Sequence, residues 1–88
     1  MPQPNFYIHF PSINGEWIEP PVQDKKAVLK MLKNIKGMPA SLTRQIEKVY
    51  NSAPAGADIA WIVDGNKHSI AFYHPQSNTL FPIPSRFL

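Results

Sequence analysis

No cysteine occurs in the 88-residue chain. That absence removes disulfide staples, thiolate zinc sites and a cysteine nucleophile together, and leaves the redox compartment undetermined. Long apolar runs are missing too: nothing approaches the ~18 consecutive apolar residues needed to span a bilayer. The opening "MPQPNFYIHF" has no basic segment followed by an apolar stretch and a small-residue cleavage site, so no signal peptide is expected. A soluble, cytoplasmic protein with no membrane partner is the expectation. The four glycines never form a phosphate-cradling loop, and no serine stands in a Gly-x-Ser-x-Gly context. The six acidic residues are scattered, with no two spaced as a carboxylate pair. "DGN" within "VDGNKH" lacks the ligand run of an EF-hand and reads as a hairpin turn. Neither a cofactor nor a metal is called for by any of these patterns.

What is present fits one small domain spanning residues 1–88. An apolar content of 43% and ten aromatic residues suffice for a compact core, and a charged fraction of 17% is too low for a disordered tail. Ten prolines sit at boundaries and form no low-complexity run. The formal charge of +3 hides an asymmetry. Residues 1–24 carry Glu16, Glu19 and Asp24 and no lysine or arginine. Residues 25–48 hold Lys25, Lys26, Lys30, Lys33, Lys36, Arg44 and Lys48 against Glu47 alone, and the remainder balances. A field organised in this way acts on what the protein meets, not on how it folds.

The element pattern is α+β in the order ββααβββ. Phe6, Ile8 and Phe10 alternate with Tyr7 and His9, the period of a half-buried strand. Asn14 and Gly15 tolerate the positive φ of a type I′ turn, so residues 5–21 read as an N-terminal β-hairpin whose second strand is ended by Pro20 and Pro21. Asp24 is placed to cap a first helix, with Gly37 and Pro39 stopping it. Val28, Met31, Leu32 and Ile35 fall within an arc of about 100° on that helix, and Lys26, Lys30 and Lys33 within about 60° on the opposite side. Leu42, Ile46, Val49 and Tyr50 mark the buried stripe of a second helix over about residues 40–51. The short "KGMP" link makes the two a helical hairpin. Residues 58–84 then read as a three-stranded antiparallel meander, with turns at "DGNK" and "PQSN" and Pro82 confining the last strand to a sheet edge. Helices packed on one sheet face complete the expected architecture.

His9, His68 and His74 are the candidate catalytic residues. His68 and His74 share a strand face but lie ~20 Å apart at ~3.3 Å per residue, too far to serve one reacting centre. No second imidazole or carboxylate stands at a ligand spacing, so a metal site is not indicated. A small toxin-type ribonuclease built from Lys67, His68, His74, Arg44 and Lys48 is the enzymatic alternative. It rests on residues that any basic chain of this size could supply.

The lysine-rich helix is the most informative feature. Its plain reading is a solvated face, yet such faces usually interleave glutamate at i, i+4, and only Glu47 is available. Lys26 and Lys30 are spaced to repel, and an acidic partner would relieve that repulsion. The expectation is therefore a non-enzymatic binding module, of inhibitor or accessory type, with Lys26, Lys30, Lys33, Lys36, Arg44 and Lys48 facing an acidic macromolecular surface. Sequence-independent nucleic-acid binding is the alternative, because lysines suit phosphates better than base edges. Tyr7, Tyr73 and Trp17 could stack on bases if their faces are solvated. Edge strands additionally invite pairing with a partner or a second copy, against which the prolines at 11, 20, 21, 82 and 84 act.

Overall fold

The computed structural model describes residues 4–11, 21–35 and 37–87. Their order is β1 (Phe6–His9), α1 (Lys25–Asn34), α2 (Ala40–Ser52), β2 (Asp58–Asp64), β3 (Lys67–His74) and β4 (Thr79–Pro82), followed by a 3-10 turn at Ser85–Phe87. The four strands form one mixed sheet in the order β1-β2-β3-β4. The fold is α+β, as the alternation patterns require. The Asn14 and Gly15 turn and the second strand of the expected hairpin lie outside the described residues.

The pairing of β1 is what the sequence did not disclose. It lies parallel to β2, with Phe6 beside Ile59 and Ile8 beside Trp61. Parallel neighbours need a crossover, and here both helices supply it. Asn5 opens the ladder by accepting a hydrogen bond from the Ile59 amide at 2.9 Å. On its outer side, Phe6 exchanges two backbone bonds with Val22, at 2.9 and 3.3 Å, as an isolated antiparallel bridge. β2 and β3 are antiparallel from Asp58 opposite Tyr73 to Asp64 opposite Lys67. Gly65 (φ +62) occupies the first position of their two-residue loop, the place where a type II′ turn demands positive φ. Asn78 (φ 50) closes the four-residue loop between β3 and β4 in the left-handed region, its amide donating to the Pro75 carbonyl at 3.3 Å.

Register divides the side chains between two faces. Phe6, Ile8, Ile59, Trp61 and Phe72 join Val28, Leu32, Ile46, Val49, Tyr50 and Ala57 in one buried cluster. The helices therefore cover that face. Phe87 meets Phe72 edge to face at 5.4 Å, so the 3-10 turn seals the C-terminal side of the same layer. α1 stops earlier than Gly37 suggests. Its cap is Ile35, which turns into extended backbone (ψ 117) and lays its side chain partly against the core.

Candidate functional site: the basic face of α1

The exposed side of α1 is fixed by what its other side does. Val28 and Leu32 are buried at 1% and 2% exposure, and Leu29 and Met31 pack partly against the same core. The Asp24 carboxylate accepts the Lys26 amide at 3.1 Å, the N-cap that the sequence predicts, worth about 1 kcal/mol. The Tyr50 hydroxyl donates to the Gln23 carbonyl and ties the C-terminal part of α2 to the entrance of α1. Burial, with a smaller contribution from Asp24, pushes the Tyr50 phenol up from its ordinary value, so it remains a donor at neutral pH.

With the entrance held and the opposite side buried, Lys26, Lys30 and Lys33 stand exposed on one side. At ~1.5 Å rise per residue they span ~10 Å along the helix axis. Among the described residues none of the three makes an ion pair. Lys26 in the first turn opposes the helix dipole and Lys33 in the last turn complements it, so the row is near neutral for helix stability. Lys25 is half-buried, and Lys36 lies outside the described residues. Arg44 and Lys48 are exposed on α2, but Glu47 is exposed with them, and that face is mixed in sign. The concentrated positive charge belongs to α1.

The three histidines do not converge. His68 pairs with Val63 and His74 with Thr79, on the helix-bearing face, whereas His9 pairs with Ile62 on the other. Each imidazole of β3 lies against an aromatic ring: His68 stacks on Trp61 at 5.6 Å and 10°, and His74 meets Phe81 edge-on at 5.0 Å. Burial lowers the pKa of His9 from its ordinary 6.5. The unfolded chain therefore binds more protons below that pH, and stability is full above pH 6.5 and falls as pH drops toward the folded-state value. The slope cannot exceed about 1.4 kcal/mol per pH unit for one proton. Urea midpoints for wild type and His9→Leu, followed from neutral pH into mild acid, should diverge over that window; parallel curves would mean that His9 does not resist protonation.

One polar cluster has no counterpart in the sequence reading. The Asp58 carboxylate accepts the Asn5 amide at 2.9 Å, and burial followed by the Asp58 charge raises the Tyr7 phenol above its ordinary value. Tyr7 meets Tyr73 edge-on at 4.9 Å, and the Tyr73 hydroxyl donates to Asn78 Oδ1 at 3.1 Å. Tyr73 is only 5% exposed, so its ring faces are occupied and not presented to a base. A shallow cleft of about 200 Å³ beside Asn5, Gln23, Pro54 and Asp58 adjoins a wider one of about 500 Å³ at Gly56, Asp58, His74 and Gln76. Only the parallel β1–β2 pairing brings Asn5 and Tyr7 to Asp58, and no local signal announces it. Among the described residues no three His, Asp or Glu side chains gather as a metal site. No family model, curated protein or solved structure matches the chain.

Proposed function

We propose that the protein is a small non-enzymatic binding module, of inhibitor or accessory type, that docks α1 on an acidic macromolecular surface. The observation that carries this reading is the row Lys26, Lys30 and Lys33, solvent-exposed, unpaired among the described residues and held on a helix anchored at its entrance. A row of flexible point charges ~10 Å long matches a line of carboxylates on a partner helix, whose neighbours repeat at the same i, i+4, i+7 spacing. It uses no aromatic platform and no base-reading side chain. Arg44 and Lys48 would extend the contact onto α2.

Nucleic acid is the second reading, supported by the same row because lysines neutralise phosphates without selecting a sequence. Titration with a labelled acidic polypeptide, and with single- and double-stranded oligonucleotides, at two salt concentrations separates the two. Binding of the polypeptide that weakens with salt, with oligonucleotides of equal charge bound no better, is the expected result. Preference for oligonucleotides moves the assignment to the second reading, and indifference of every probe to salt removes both. The placement of His9, His68 and His74 on two faces lends no support to a histidine-dependent ribonuclease.

A further inference from the structure

The two edges of the sheet are treated differently. β1 is partly closed by the Phe6–Val22 bridge, whereas among the described residues no backbone group bonds the outer side of β4. Proline fixes the phase of that strand. Pro82 has no N–H, so its pairing with Ala71 falls where an antiparallel ladder exchanges no hydrogen bond. Alternation then turns the N–H and C=O of Leu80 outward. The strand also lacks the charge that commonly guards an exposed edge: between Lys67 and Arg86 there is no Asp, Glu, Lys or Arg. Phe81, on the same strand, is 48% exposed, the large apolar side chain most open to solvent among the described residues.

We propose that β4 pairs with β4 of a second copy, antiparallel about a two-fold axis at Leu80. The two Leu80 residues exchange a pair of N–H···O=C bonds, and the sheet continues across both copies. A two-fold contact must be self-complementary, and an uncharged strand meets that condition without repulsion. In this register Phe81 of one copy faces Thr79 of the other, which covers the exposed ring. The excess positive charge stays clear of the junction, since α1 packs on α2, and α2 on β2 and β3. An acidic or basic partner strand would find no charge to answer it at this edge. The contact is independent of the lysine row and leaves that row open.

Sedimentation equilibrium over a concentration series tests the proposal. Wild type should pass from monomer to dimer below about 1 mM, the weak range expected of a small edge contact. Leu80→Pro removes the outward donor and leaves the inner ladder intact; it should weaken dimerisation about tenfold or more. Phe81→Lys, at an exposed position that does not threaten folding, should weaken it comparably by placing like charges across the axis. The Leu80 amide should exchange more slowly with solvent as concentration rises. A wild type that remains monomeric throughout overturns the proposal, whatever other strand it captures, and so does a dimer that Phe81→Lys leaves unchanged.

Discussion

Replacing Lys26, Lys30 and Lys33 together by glutamate should abolish binding to an acidic partner while leaving the fold in place. The fold survives because all three side chains are exposed and the helix is held from its other side by Val28 and Leu32. Glutamate and lysine have similar helix propensities, so backbone preference changes little. At the helix ends the substitutions offset each other: a glutamate at 26 favours the dipole and one at 33 opposes it. Binding has no such compensation. Three attractive charges become three repulsive ones, and the expected loss is about a hundredfold or more, carried by slower encounter and faster release. If the partner is a nucleic acid, the three lysines account for about 2 to 3 units of the slope of log K against log salt, and the variant loses them. Lys67, exposed beside the β2–β3 turn on the sheet face turned away from the helices, is the control. Charge there is screened beyond ~8 Å at physiological salt, so Lys67→Glu should leave affinity within about twofold. An intact triple variant that binds as well as wild type would reduce the row to an ordinary wet surface.

The parts of this molecule that could be read from sequence are those whose signal is local. Val28 and Leu32 recur at helical spacing with lysines opposite, and hydrophobic burial leaves one way to orient such a helix. Asp24 caps it because a short acceptor just before an apolar-periodic run has few other uses. Gly65 forces a turn between two alternating strands, so the β2–β3 pairing follows with its register. By contrast, the alternation of Phe6 and Ile8 specifies a half-buried strand without naming its neighbour. A hairpin partner and a parallel partner more than fifty positions away bury the same side chains. Everything that depends on that choice was hidden with it: the Asn5–Asp58 bond, the Tyr7–Tyr73 contact and the separation of His9 from the other imidazoles. α1 does end before Gly37, whose φ of +83 lies in the left-handed region that glycine favours, and the cap at Ile35 adds a partial core contact that no local signal names.

Phe6→Ala should produce the largest stability loss of any single truncation in β1, about 3–5 kcal/mol. Phe6 is fully buried, pairs with Ile59 on one side and bonds Val22 on the other, and packs in the cluster that includes residues of both helices. A domain of this length has a total stability of roughly 4–13 kcal/mol, so the variant forfeits a large share of it. With a urea m-value near ~1–2 kcal/mol per molar, the midpoint should fall by about 2 M or more. Phe81→Ala, at a half-exposed ring of the same type, should cost no more than about 1 kcal/mol and controls for composition. The comparison also reads out the strand pairing itself. If β1 were held only by a hairpin to the segment that follows it, truncating Phe6 would loosen that segment and spare β2, β3 and β4. Because Phe6 is seated on Ile59, the strand that carries Trp61 and pairs with Phe72, its loss should lower the midpoint of the whole cooperative transition, observed alike by tryptophan fluorescence and by far-ultraviolet circular dichroism. A midpoint shift confined to one probe would place β1 outside the unit formed by the other three strands.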